Sequence, residues 1–406
     1  MDNGQIAELV AWITDAGLAG QSETAMLGGF CERVVACGLP LARANVIIDT
    51  LHPVYEGRAF TWKRHLRETA LSEYGRSPEH LDRWEHSPFY RLEISGESLL
   101  RRRLTAATEF EFPIFSELRA DGITDYIAVA NRFATEGIIG EMDCVYSSWA
   151  TDAPQGFGDA DVAALSRLMP SFALAMKSAS LARVAATLVE TYLGRDAGRR
   201  VLEGRIARGI ADRIEAVLWF SDLRSYTRIS DSAAPEQIIP FLNDYAGAII
   251  SAIHEQTGDV LKLMGDGILA MFTADNSGRA CHAALAAASK ARRAVAAVSQ
   301  CRAAQNLPTT DFYLGLHVGE VFYGNIGSRE RLDFTVVGPA VNEVSRIAGL
   351  CRSVDQPLLV SSTFASAIGE SKKLLVSVGR YALRGVGRPE DLYTLENGTD
   401  ACVEQS

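Results

Sequence analysis

The chain has 406 residues, enough for two domains with cores of their own. Its formal net charge of −10 argues against nucleic acid or an anionic membrane as the main partner, although a few Lys and Arg can still be focused in one cleft. The seven cysteines include no Cys-x-x-Cys pair, so neither a zinc site nor a disulfide framework is suggested, and free thiols in a reducing cytoplasm are expected. No run of 18 apolar residues occurs and Met-Asp-Asn-Gly is no signal peptide, so the expectation is a cytoplasmic protein without membrane insertion.

Residues 4–17 and 22–37 carry helical periodicity; the second stretch has Ser22 as N-cap, Met26, Leu27, Phe30 and Val34 on one face, and Gly38 after its end. A strand over 44–51 and its partner over 59–63 flank the turn-like His52-Pro-Val-Tyr-Glu-Gly57. The segment 64–118 is polar and mixed, with Arg101-Arg-Arg103 reading as a solvated face. Strands are predicted again over 125–133 and 141–149, separated by Glu136-Gly137. His52, His65, His80 and His86 match no ligand spacing and read as surface or capping histidines. Residues 159–203 space Leu165, Leu168, Phe172, Leu181, Val184 and Leu188 as a helix does, with Pro170 and Gly194 as interruptions. That tract is either a signalling helix pairing with its twin in a dimer or an amphipathic helix packed on its own domain. The Gly- and Arg-rich stretch 195–213 marks a domain boundary.

From 214 onward strands and helices alternate: a strand over 216–221 and a helix over 235–255 with Pro235 near its first turn. Next comes Asp259-Val-Leu-Lys-Leu-Met-Gly-Asp-Gly-Ile-Leu-Ala-Met-Phe272, a hairpin bent at Gly265-Asp266-Gly267. An Ala-rich helix over 279–304 follows, then a strand pair over 311–318 and 321–324 around Gly319, and a helix containing Asn342. Strands over 358–361, 374–383 and 392–395 complete a pattern of α+β type with a mainly antiparallel sheet.

Three stretches carry chemistry. Ala216-Val-Leu-Trp-Phe-Ser-Asp222 is an apolar strand that ends on a carboxylate; the hairpin places Asp266 at its bend and Lys262 four residues earlier; and Asp333-Phe-Thr-Val-Val-Gly-Pro-Ala-Val-Asn-Glu-Val-Ser-Arg346 runs from strand into helix. Taken singly, either aspartate could merely cap a turn. Two carboxylates at strand ends suit hard cations, and Lys262 is a charge in an otherwise apolar strand. Asn342 and Arg346 are one helical turn apart and share a face.

In this order and at these intervals the motifs resemble the catalytic core of the class III nucleotidyl cyclases: a phenylalanine and aspartate ending the first strand, Lys-x-x-Gly-Asp in the hairpin and Val-Asn-x-x-x-Arg in the late helix. The resemblance implies a ferredoxin-like catalytic domain over 214–396 converting ATP to cyclic AMP and pyrophosphate. It implies Asp222 and Asp266 as ligands of two Mg²⁺ or Mn²⁺ ions per site, Lys262 and Thr335 as base readers, Asn342 on the ribose and Arg346 on the α-phosphate. Arg384 falls where family members keep a basic residue for the terminal phosphates. With Thr335 the chain resembles the threonine-bearing adenylate subgroup; Asp333 is a rival base reader, but the seven-residue interval from Thr335 to Asn342 matches the family and decides for Thr335. The family builds its site across a homodimer. Ser225 stands where the family usually has glycine, so a reshaped loop is expected, with the backbone N–H groups of 224–227 open to phosphate. His317 reads as structural. Residues 1–158 resemble a GAF-type regulatory domain for an unknown small-molecule or protein regulator, 159–213 a helical signalling linker, and 397–406 a tail. The alternative is a cyclase-like module that binds nucleotide without turnover.

Overall fold

The computed structural model describes residues 1–66, 68–75, 77–104, 111–133, 139–140 and 142–396. The turn expected at Glu136-Gly137 and the tail at 397–406 lie outside the described residues. The chain forms two units, Met1–Leu188 and Val189–Ser406.

In the first unit, helices α1 (Asn3–Leu18) and α2 (Glu23–Ala36) precede strands β1 (Arg43–Asp49), β2 (Gly57–Lys63) and β3 (Thr69–Tyr74). Then come α3 (Pro78–Glu85), α4 (Pro88–Ser95), β4 (Leu99–Arg103), α5 (Ile114–Ala120), β5 (Asp125–Arg132), β6 (Cys144–Thr151) and the long α6 (Asp159–Leu193). Asp2 and Gln5 close a capping box on α1, and the Ser22 hydroxyl accepts from Ala25 N at 3.3 Å to start α2. The six strands pair in the order β3-β2-β1-β6-β5-β4, antiparallel throughout. Alternation along them builds two cores. Val46, Phe60, Ile127 and Trp149 face α1, α2 and α6, while Tyr126, Ala128 and Tyr146 face α4 and α5.

The polar segment 64–118 thus holds five elements that the composition did not announce. Within it, Arg101-Arg-Arg103 corrects the reading as a solvated face. Arg101 donates to the wholly buried Asp125 at 2.7 Å and Arg103 reaches it at 3.4 Å, leaving only Arg102 to a surface pair with Glu111. Asp125 also accepts from Phe157 N at 3.0 Å, so the buried charge is fully satisfied. His52, His80 and His86 bond nearby backbone.

Pro170 does not interrupt α6, which runs from Asp159 to Leu193. A mid-helix proline costs about 3 kcal/mol. Burial of Leu165, Leu168, Met169, Phe172 and Met176 on both sides of it outweighs that cost. Among the described residues only α6 is long and apolar enough to cross a bilayer, yet this apolar face is part of the first core. The division of the chain at Leu188 and Val189 falls inside α6, so the segment expected as a separate linker over 159–213 is shared between the two units.

The second unit opens with α7 (Arg195–Leu202), whose Ala197 is buried in its core. Strand β7 (Ala211–Leu223), α8 (Tyr226–Ser232), α9 (Pro235–Glu255), β8 (Asp259–Met264), β9 (Gly267–Phe272), α10 (Ser277–Ala304) and β10 (Phe312–Gly327) follow. Spatial order β10-β7-β9-β8 for the sequence β7-α9-β8-β9-α10-β10 is the ferredoxin-like arrangement. Strand β11 (Leu332–Val337), α11 (Pro339–Leu350), β12 (Leu358–Ser361), α12 (Ser362–Ala367), β13 (Leu375–Tyr381) and β14 (Glu390–Leu395) extend it. Val217, Trp219 and Phe272 pack on α9 and α10, and Ala216, Leu218 and Leu269 pack with β11 and α11. The expected break at Gly319 is absent, because β10 is one strand of 16 residues. Gly319 is needed there for close approach, since a Cβ on it would stand 2.5 Å from Ala340 Cβ of α11.

Candidate active site

Antiparallel pairing of β7 with β9 matches Ser221 to Ile268 and thereby brings the end of β7 to the hairpin bend. Gly265 takes a φ of +67° in that bend, which lets β9 start at Gly267 directly opposite Met264. The carboxyl groups of Asp222 and Asp266 are neighbours there. Burial, and then the neighbouring charge of Asp266, push the Asp222 carboxyl up to about 6. A cavity of about 180 Å³, lined by Leu223, Asn243 and Gly267 among others, opens beside Asp266. Two neighbouring carboxylates lack positive charge, and with open space beside them this donor set fits Mg²⁺ or Mn²⁺, which accept few protein oxygens and leave room for phosphate. Among the described residues no group of three or more His, Cys, Asp or Glu could hold a metal.

Ser225, just beyond, lies in the left-handed region at φ 56°, ψ 27°. The loop has therefore kept the backbone that suits glycine, and the expected reshaping is corrected: the strain sits on the serine instead. Its neighbour Arg224 donates its N–H to Asp311 O at 2.8 Å, so that group is not open to phosphate. Ser225→Gly should raise stability by about 0.5–1 kcal/mol, the left-handed penalty of a non-glycine residue less the added chain entropy of glycine. Urea unfolding of the parent and the variant reads this directly.

Lys262 owes its direction to a β-bulge. The β8–β9 register shifts between Val260 and Lys262, which sets Lys262 opposite Leu269 on the face where Leu261 is buried, and the lysine stays half-exposed. Strand β11 lies back over this hairpin, with Phe334 and Val336 packed against Leu261 and Leu269. Asp333 and Thr335 alternate with those core residues and share the opposite face, and Lys262 donates to the Asp333 carboxylate. The structure thus joins Lys262 to Asp333, with Thr335 two residues along the same face, opposite Gly324. Spacing had singled out Thr335; the Lys262–Asp333 pair was detectable only as a strand alternation.

Helix α11 starts at Pro339 after Gly338, burying Ala340, Val344, Ile347 and Ala348. Asn342 projects from its exposed side and Arg346 is half-buried one turn on. The Arg346 guanidinium rests against Gly385: a Cβ there would stand 3.1 Å from Nη1. Leu383 is buried, Gly385 has a φ of +74°, and Arg384 between them is exposed. The turn carrying Arg384 is therefore placed against Arg346.

Residues 211–397 match the model of the adenylate and guanylate cyclase catalytic domain. An adenylate cyclase of Anabaena cylindrica is 34% identical over 155 residues, 38% of this chain and 31% of that protein. Adenylate cyclase 1 of Rhizobium meliloti is 26% identical over 208 residues, 50% of this chain and 30% of that protein. The solved guanylyl cyclase Cya2 is 28% identical, with a TM-score of 0.41 over 46% of this chain and 96% of that one. The chain spans about a third of the length of these curated relatives.

Proposed function

We propose that the chain is an adenylate cyclase that converts ATP to 3′,5′-cyclic AMP and pyrophosphate at sites shared across a homodimer. The ribose 3′-oxygen forms the new bond to the α-phosphorus as the bond to pyrophosphate breaks. Asp222 and Asp266 would hold two Mg²⁺ or Mn²⁺ ions, which when bound acidify the 3′-hydroxyl and offset charge on the phosphates. Lys262 donates to adenine N1 and Thr335 accepts from N6. Asn342 orients the ribose, Arg346 neutralises charge growing on the α-phosphate, and Arg384 meets the terminal phosphates. The observation that carries the reading is the placing of Asp222 and Asp266 as neighbouring like charges where the end of β7 meets the hairpin bend.

The homodimer is supported by apolar side chains left open around the substrate residues. Leu263 is 55% exposed, Met264 42%, Phe322 47% and Val337 41%, all on strands that carry or flank Lys262 and Thr335. A second copy would cover them in a self-complementary contact. The first unit acts as a GAF-like sensor for an unidentified regulator, and the protein works in the cytoplasm. Incubation of the purified chain with ATP or GTP and Mg²⁺ or Mn²⁺ tests the reading. Cyclic AMP as the main product is expected; nucleotide binding without product under either metal would favour a silent module.

A further inference from the structure

One face of β10 presents Gly315, His317 and Gly319 in succession to α11. A Cβ on Gly315 would stand 2.7 Å from both Ala348 N and Val344 O, and one on Gly319 2.5 Å from Ala340 Cβ. The helix therefore lies against bare backbone at two points, and His317 fills the interval between them. Those backbone contacts fix how close the helix comes, while Val344 and Ile347 of the same helix pack into the cores beside them. The polar contact in that interval belongs to His317. It is 4% exposed, its Nε2 lies 3.2 Å from Glu343 Oε2, and its Nδ1 lies 2.9 Å from Ser361 Oγ.

Burial pushes the imidazole down to about 4, so at neutral pH it is uncharged and its 3.2 Å contact with Glu343 is not an ion pair. Its Nδ1 shares a hydrogen bond with the Ser361 hydroxyl. Ser361 is fixed in turn, because its oxygen accepts from Phe364 N at 3.2 Å as the N-cap of α12. Glu343 feels two further charges, Glu390 and Arg346, and Glu390 is tied to Ser362 at 2.6 Å. Polar contacts thus run from Ser361 of β12 through His317 to Glu343 of the helix.

We infer that His317 is a positioning residue that sets the rotation of α11 through Glu343, and with it the aim of Asn342 and Arg346. The inference rests on the reading of those two as catalytic. Glu343 stands one residue after Asn342 and three before Arg346. A roll of about 10° moves a group about 6 Å from a helix axis by about 1 Å. Misplacement on that scale costs up to about a hundredfold in rate.

Glu343, partly exposed, is the residue to change, since truncating a buried histidine endangers the fold. In the full chain, Glu343→Ala is expected to lower kcat by about ten- to a hundredfold with KM for ATP within about threefold. Glu343→Gln, which keeps an oxygen at the Nε2 contact, should restore most of that loss. Hydrogen–deuterium exchange across Pro339–Leu350 should quicken in the alanine variant and stay parental in the glutamine variant. A folded Glu343→Ala protein with parental kcat, or a glutamine variant as slow as the alanine one, would overturn the inference. Should the parent form no cyclic nucleotide, the catalytic reading falls by itself, and unchanged exchange in Glu343→Ala would sink the positioning role separately.

Discussion

Asp222→Ala and Arg346→Ala, each close to inactive alone, are expected to recover about a quarter of the parental rate when mixed under conditions that exchange subunits. Loss of Asp222 leaves Asp266 without its partner at the hairpin bend, and loss of Arg346 removes the guanidinium that sits on Gly385. Each change should cost on the order of a hundredfold or more, the scale for removing one preorganised charge from a transition state. If one chain supplies the aspartates and its partner supplies Lys262, Thr335, Asn342 and Arg346, a mixed dimer has one site with both lesions and one with neither. Random pairing of equal amounts makes half the dimers mixed, and half their sites intact, hence about a quarter. Exchange must be followed by a label on one variant. Verified exchange with activity no higher than that of either variant would place all these residues in one chain and refute the shared site.

Much of the catalytic unit was legible because its signals are local. The hairpin around Gly265-Asp266-Gly267, the strand ending on Asp222 and the turn spacing of Asn342 and Arg346 each lie within a dozen residues. What escaped depends on partners distant in sequence. Gly319 looks like a turn until α11 is packed on it, and Arg101 looks solvated until Asp125, on the neighbouring strand, is placed beneath it. Pro170 looks like a break because local cost is visible in sequence and the burial of Phe172 and Met176 is not. Ser225 shows the converse: the backbone demand was anticipated from the family's glycine, but which side would yield, loop or residue, is decided by the surrounding fold. The bulge at Leu261, which sets Lys262 opposite Leu269, has no signature in a strand of alternating residues.

Lys262→Glu with Thr335→Cys is expected to move preference from ATP to GTP only when Asp333 is neutralised as well. Guanine offers a donor at N1 and an acceptor at O6, so a carboxylate at 262 and a thiol at 335 reverse the order of donor and acceptor. The parental lysine, however, is bonded to Asp333. A glutamate at 262 would face that carboxylate, and two like charges in contact either protonate or turn apart, which spoils the aim at N1. The double variant should therefore lose ATP turnover on the order of a hundredfold while gaining little with GTP. Adding Asp333→Asn supplies an amide donor that can hold the new glutamate in place, and the ratio of GTP to ATP turnover should then rise by at least about tenfold over the double variant. Both ratios come from initial rates of cyclic GMP and cyclic AMP formation at matched metal concentration. A double variant that switches as fully as the triple would show that Asp333 has no hold on position 262. If the triple variant folds, binds nucleotide and still prefers ATP as strongly as the parent, Lys262 and Thr335 do not read the base.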